Sequence, residues 1–230
     1  MAEKKRTRKE LLKSQDEFMT FSSRAIRFVR GHSTHFTYVG MALVAIILIY
    51  LGINTYTKYK NRKGQEAYNI AYYALSKNIG KEADPDIIAQ SGEQFQMVIE
   101  KYAATKTGKL ALPELAFLRF KEKNYDEAIN LYEEFLEKVN NRPSYQSLAR
   151  MALATCYEEK GESQRAIEIL EKLYNNPDNF IAEQSMLSLA RLYRVTNQQE
   201  QAKKILKEFV ERYQESPFLP FAKAYLNRLS

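Results

Sequence analysis

The residue types best suited to catalysis or metal binding are scarce in this chain. Its 230 residues include two histidines, His32 and His35, and one cysteine, Cys156. Residues 36–230 contain no histidine, so most of the chain has no imidazole for base catalysis or metal coordination. No glycine-rich phosphate loop is present either. We therefore expect no enzyme activity, no catalytic residues, no bound cofactor and no metal site.

The remaining reactive groups have structural explanations. Cys156 takes the place that Leu118 and Leu192 hold in two related segments, which indicates a buried apolar residue and not a nucleophile. A single thiol forms no intramolecular disulfide, so cysteine usage does not indicate the compartment. The neighbouring acids at 133–134 and 158–159 are typical of solvated helix faces and not of acid–base pairs.

The charge is unevenly distributed along the chain. The formal net charge is +7, but residues 64–230 hold 22 basic and 24 acidic residues and are nearly neutral. Residues 1–35 hold nine basic and four acidic residues, and residues 58–63 add four more basic residues. The basic excess thus flanks one apolar segment. A pI of about 9.2 is therefore no indication of nucleic-acid binding, and we expect no nucleic-acid partner.

That apolar segment predicts a transmembrane helix over residues 36–57. These 22 residues carry no charge, and at about 1.5 Å per residue they would span a bilayer core of about 30 Å. Tyr38, Tyr50 and Tyr56 lie toward its ends, where aromatic rings favour the interface. A buried core helix and a cleaved signal peptide are the alternatives, but no small-residue cleavage site follows. We expect an uncleaved signal anchor followed by a basic juxtamembrane linker at 58–64.

Residues 1–35 predict a basic cytoplasmic tail. Ser14 and Glu17 fit a capping box, which predicts an amphipathic helix over about residues 15–30. Its basic face suits an anionic lipid surface, although packing on its own domain or a partner is the alternative. The nine basic residues of the tail oppose its translocation, whereas long C-terminal domains cross regardless of charge. The sequence favours a cytoplasmic N-terminus and a C-terminal domain on the outer side.

An internal repeat follows the apolar segment. Three segments carry a Leu-Ala pair and then a second alanine twelve residues after the first, with a polar turn between them. Small residues on two antiparallel helices allow close approach, so each segment predicts a helical hairpin. The alanines of the first helices, Ala116, Ala154 and Ala190, and of the second helices, Ala128, Ala166 and Ala202, are both spaced 38 and 36 residues apart.

These segments resemble the tetratricopeptide repeat (TPR). The pattern Leu-Ala-x-x-Tyr followed by alanine places Tyr157 and Tyr193 in the second and third repeats, whereas Arg119 replaces the tyrosine in the first. Another α-hairpin array is the alternative. The resemblance implies an all-α fold, with the transmembrane helix followed by a TPR-like α-solenoid of three to four hairpins and a capping helix. Its expected parts are a degenerate hairpin at 65–104, repeats at 110–143, 147–178 and 183–216, and a capping helix at 218–229, all within a domain spanning 65–230.

The resemblance also implies a protein-binding groove lined by the first helix of each pair. The groove positions would be Phe117, Phe120, Lys121, Met151, Thr155, Glu158, Glu159, Leu187, Arg191 and Arg194. This mixture suggests an extended peptide with an apolar part and an acidic part near Arg191 and Arg194; an ordinary surface is the alternative. Of the positions that grip chaperone C-terminal carboxylates in TPR receptors, only Arg191 fits, so we expect no such clamp.

The whole-chain organisation resembles bacterial inner-membrane TPR proteins of the YfgM type. That resemblance implies a single-pass protein with a periplasmic repeat domain beside the SecYEG translocon, assisting chaperones. The expected partners are translocon subunits, periplasmic chaperones or envelope-assembly factors bound through peptide segments, and membrane lipid through the anchor and the amphipathic helix. The alternatives are a homo-oligomerising structural protein of the envelope, or a cytoplasm-facing adaptor if the topology is reversed.

Overall fold

The computed structural model describes residues 28–76, 85–176 and 180–229, together with Ser23 and Ile26. Within these residues the regular structure is helical and contains no strand, so the predicted all-α fold is confirmed. The chain divides into two compact units, residues 1–58 and residues 59–230. The helices are α1 (Ser33–Ser76), α2 (Pro85–Tyr102), α3 (Lys106–Lys121), α4 (Tyr125–Lys138), α5 (Pro143–Glu159), α6 (Ser163–Tyr174), α7 (Ala182–Val195), α8 (Gln199–Arg212) and α9 (Leu219–Leu229).

Helix α1 contains the apolar segment and continues well beyond it. Residues 58–64, which we expected to form a linker, are helical in the structure. These residues include no proline, which would interrupt the helix. The glycine among them, Gly64, is buried against the side chains of Thr107 and Tyr102. The predicted amphipathic helix at about 15–30 and its capping box lie almost entirely outside the described residues.

In the second unit, successive helices pack as hairpins in chain order. Helices α3 and α4, α5 and α6, and α7 and α8 form the three predicted pairs, and α9 packs on α8 as a capping helix. Within the hairpin expected at 65–104, the end of α1 and α2 share a buried apolar cluster, beside which the Tyr68 and Phe95 rings meet edge-on at 5.6 Å. Pro143 occupies the first turn of α5, where its missing N–H costs nothing.

The turn inside each hairpin is built in the same way three times. Lys123, Gly161 and Asn197 have positive φ angles of 61°, 89° and 61° and end the first helices. In the first turn, the Lys123 N–H donates to the Phe120 carbonyl (3.0 Å) and the Asn124 N–H donates to the Arg119 carbonyl (2.9 Å). This is the Schellman arrangement, which uses a left-handed residue to satisfy the last carbonyls of a helix. The polar turn predicted between the two helices of each hairpin is therefore present, and it contains a left-handed residue each time.

The alanines of the repeat occupy the contacts between helices. Their side chains are at most 2% exposed, as expected of positions where two helix backbones approach closely. The set comprises Ala116, Ala128, Ala154, Ala166, Ala190 and Ala202. A larger residue at any of these positions would force the paired helices apart, because protein interiors are packed to crystal-like density.

The repeated tyrosines tie neighbouring hairpins together. Tyr157 on α5 donates its hydroxyl hydrogen bond to Glu133 on α4 at 3.0 Å, and Tyr193 on α7 donates to Glu171 on α6. Both rings are buried, so each tyrosine packs into the core and closes a polar contact at its edge. In the first repeat, Arg119 instead pairs with Glu127 of its own hairpin at 2.9 Å. The departure from the repeat pattern thus replaces a contact between hairpins by one within a hairpin.

Candidate functional site

The groove face is defined here as the partly exposed side of the first helices α3, α5 and α7. The ten predicted groove residues lie on these three helices at equivalent places, because the two spacings of 38 and 36 residues recur between them. Five are exposed: Phe117, Lys121, Thr155, Glu159 and Arg194. The other five are half-buried: Phe120, Met151, Glu158, Leu187 and Arg191.

The two arginines expected to bind an acidic ligand have partners within the chain. The Arg191 guanidinium donates two hydrogen bonds to the Glu158 carboxylate, one of them at 2.5 Å between Nη2 and Oε2. This hydrogen-bonded pair raises the pKa of Arg191 above its ordinary value. Arg194 lies over the Tyr225 ring of α9 at 4.8 Å. An acidic ligand at Arg191 would therefore have to compete with Glu158.

At the other end of the groove face, a cavity opens between α3 and α5. Its volume is about 280 Å³. It is lined by Tyr68, Leu110, Pro113, Glu114, Tyr132, Phe135, Tyr145, Leu148, Ala149 and Ala152. Leu110 and Leu148 hold equivalent places on α3 and α5, since they are 38 residues apart. Leu148 is 51% exposed, so part of this apolar surface faces solvent.

One ionisable carboxylate lines this cavity. Glu114 accepts a hydrogen bond from the Tyr68 hydroxyl at 2.9 Å. Burial raises the pKa of Glu114 above its usual range, and the Tyr68 hydrogen bond opposes that shift only in part. Burial also raises the pKa of Tyr132, which keeps its hydroxyl protonated. Among the described residues, no lysine or arginine forms an ion pair with Glu114.

The cavity shows what the sequence-based site missed. Sequence reasoning named neighbouring groove positions but omitted Tyr68, Glu114, Tyr145 and Leu148. The leucine was detectable, because it repeats Leu110 at the spacing of the aligned segments. Tyr68 gave no such signal, since it belongs to the degenerate first pair. Its contact with Glu114 joins residues 46 positions apart.

The single cysteine is buried and does not contribute to the groove face. Cys156 is 1% exposed, and burial raises the pKa of its thiol to about 11. A thiol in this environment stays protonated and is a poor nucleophile. Within the part of the chain that the structure describes, no group of three or more His, Cys, Asp or Glu side chains could hold a metal ion. The groove face thus offers apolar contact area with a few charged groups, which suits binding.

Two protein-family models match this chain. The family model described as a tetratricopeptide repeat-like domain matches residues 32–180, and a tetratricopeptide repeat model matches residues 184–216. A search of curated proteins finds no match to this chain.

Solved structures share the fold at low sequence identity. One of them contains nearly identical TPR-like repeats from a Podosopora anserina protein described as a kinesin light chain, in a variant form. It is 19% identical to this chain, and the alignment covers 74% of this chain and 86% of that structure, with a TM-score of 0.57. A tetratricopeptide repeat protein from Parabacteroides merdae is 16% identical, covers 73% of this chain and 60% of its own, with a TM-score of 0.58. The apo form of RapI is 13% identical to this chain. The alignment covers 72% of this chain and 46% of RapI, with a TM-score of 0.53.

Proposed function

Because the chain belongs to the tetratricopeptide repeat-like family, we propose that it is a membrane-anchored scaffold that binds other proteins through its groove face. Tetratricopeptide repeats are protein-interaction scaffolds, and the observation that supports this use here is the apolar cavity between α3 and α5. Such a surface costs free energy when left in water, and covering it with a partner recovers that cost. The groove residues predicted from the sequence, from Phe117 to Arg194, would form the remainder of the contact.

The apolar part of α1 supports the anchor. This helix is long and apolar enough to cross a membrane, and none of its most apolar stretch is buried. Ile46, Leu48 and Ile49 are 61%, 63% and 62% exposed, a state that a hydrocarbon environment stabilises. In the proposal, residues 36–57 span the membrane and residues 1–35 stay on its cytoplasmic side.

Introducing charge into the span tests the anchor. Ile46→Arg combined with Ile49→Arg should release the full chain from membranes into the carbonate-soluble fraction, because each central arginine opposes insertion by about 2.5–3.5 kcal/mol. Ile70→Arg is the control, since Ile70 is 63% exposed on the same helix but lies outside the apolar segment. Equal membrane retention of the two proteins would contradict the anchor.

We place the repeat domain on the periplasmic face of a bacterial inner membrane. The support is the basic residue excess of residues 1–35, which disfavours their translocation. Protease added to spheroplasts that express a C-terminally tagged full chain should cut the repeats without lysis. A cytoplasmic tag on another protein serves as the lysis control. Protection of the repeats until lysis would reverse the topology and move the partners to the cytoplasm.

On that face, the partners we propose are translocon subunits and chaperones that receive exported chains. This assignment is supported by the arrangement of a basic tail, one span and a repeat domain. A photo-crosslinking residue at Met151, which is half-buried on the groove face, should capture them in living cells. The matched control is the same residue at Glu168, an exposed position on the second helix α6. Equal capture from both positions would show that the groove face is not the binding surface.

A further inference from the structure

We propose that the cavity between α3 and α5 is a subsite for one apolar side chain of a partner peptide that carries a lysine or arginine beside it. In this arrangement the apolar side chain enters the cavity and the cation pairs with Glu114. The inference rests on the proposed function, because it describes the ligand that the same groove face selects.

The size and walls of the cavity define the apolar part of the ligand. A volume of about 280 Å³ lies at the lower limit of small-molecule sites, which span about 300–1,000 Å³. It suits one or two side chains better than a cofactor. Tyr132 and Phe135 of α4 line it together with Leu110 and Leu148 of the two first helices. An aliphatic or aromatic side chain would therefore meet apolar groups from three helices.

The charge of the ligand follows from Glu114. This carboxylate is half-buried, and Tyr68 supplies it with one hydrogen bond at 2.9 Å. A carboxylate has about four lone-pair sites, so one donor leaves acceptor capacity unused. A lysine or arginine from a ligand would complete the pair with a charge-assisted hydrogen bond, which is about twice as strong as a neutral one. An acidic ligand would instead bring like charges together at a partly buried site.

Peptide selection on the intact protein tests this assignment. The full chain in detergent micelles is immobilised and presented with a random dodecapeptide library on phage, with empty micelles as background. Selection on the wild type should enrich peptides that have an aliphatic or aromatic residue next to lysine or arginine. On Glu114→Gln the basic preference should disappear while the apolar preference remains. On Leu148→Ser the apolar preference should weaken, and because Leu148 is 51% exposed this variant is expected to fold.

The contribution of the ion pair with Glu114 is then measured as the affinity of one enriched peptide that carries fluorescein. We expect Glu114→Gln to lower its affinity about tenfold, and replacing its basic residue by glutamine to cause the same loss in the wild type. The matched control is Glu137→Gln, which removes an exposed carboxylate of α4 outside the cavity and should leave the affinity unchanged. Circular dichroism of each variant shows that the repeats are folded.

The outcomes separate the two proposals. Peptides enriched without a basic residue, or an affinity that Glu114→Gln does not change, would overturn the subsite while leaving the scaffold function intact. No enrichment above empty micelles, together with no crosslinks from Met151 in cells, would overturn both. The subsite would be established if the basic residue of the peptide increases its affinity for the wild type but not for Glu114→Gln.

Discussion

Gly108 lies in the first turn of α3, where the chain has just turned back from α2. A Cβ added to Gly108 would lie 2.1 Å from the Tyr102 carbonyl oxygen, 2.6 Å from its carbon and 3.0 Å from the Ala103 Cα. The obstacle is backbone, so it cannot rotate away. Thr105 fixes the same turn, because its hydroxyl accepts the Gly108 N–H at 3.0 Å. Replacing Gly108 by alanine must therefore open the junction between α2 and α3.

Two opposing effects set the size of the change. Alanine is favoured over glycine within a helix by about 0.8–1 kcal/mol. Overpacking a site that must shift its backbone costs about 1–3 kcal/mol, and losing the Thr105 cap costs about 1 kcal/mol more. The steric cost therefore exceeds the propensity gain, and we expect Gly108→Ala to lower the free energy of unfolding by about 2 kcal/mol. For a domain of this size that corresponds to a melting temperature lower by about 4–8 °C.

Gly92 in α2 provides a matched control. A Cβ there would meet Arg119 Nη1 at 3.5 Å and Leu115 Cδ1 at 3.7 Å, which are ordinary contacts. Gly92→Ala should thus gain the helix propensity without a clash and raise the stability by about 0.5–1 kcal/mol. Thermal unfolding of the full chain in detergent, followed by circular dichroism at 222 nm, measures both variants. If Gly108→Ala melted at or above the wild type, the close approach of α2 and α3 would be refuted.

Three further predictions concern side chains of the repeats. Tyr157→Phe should cost about 1 kcal/mol by leaving Glu133 without its donor. Burial and the neighbouring Glu133 carboxylate raise the pKa of Tyr157. The contribution of Tyr157 to the free energy of unfolding is therefore fully present below a pH of about 10, the pKa of tyrosine in the unfolded chain, and decreases above it. A melting temperature independent of pH from about 9 to 11 would contradict this. Cys156 should react with a maleimide at pH 8 only after urea unfolding, and rapid labelling of the folded chain would show that it is accessible. In a double-mutant cycle, Arg191→Ala and Glu158→Ala should couple by about 0.5–1 kcal/mol in thermal unfolding, since the pair is only partly buried, and purely additive effects would show that it does not stabilise the fold.

The helical repeats were predictable because their causes are local in sequence. Alanine at fixed spacing, apolar residues at helical periodicity and turn residues that tolerate positive φ each act within about one or two helical turns. These signals located three hairpins and the capping helix. They were less accurate at the ends, where α3 begins at Lys106 and α5 at Pro143, both ahead of the predicted starts at 110 and 147. Helix starts depend on caps and tertiary contacts that periodicity does not report.

The groove face was only partly predictable. Repetition placed Met151, Leu187 and Arg191 on equivalent helices, and all three lie there. Repetition did not indicate that Arg191 is bound by Glu158, because a side chain on one hairpin reaches its partner on another only after the helices have packed. The same reason explains why Arg194 was not expected to lie against Tyr225 of the capping helix.

The sequence by itself determined an all-helical chain with a long apolar segment followed by packed hairpins, since composition and spacing act on each helix independently. The tertiary structure alone decided which charges remain available for a ligand. Arg191 and Glu158 pair across 33 residues, whereas Glu114 has no cationic partner among the described residues and accepts a hydrogen bond from Tyr68, 46 residues away. The attraction between two charges weakens as they move apart, and the distances between these side chains are set only when the hairpins stack.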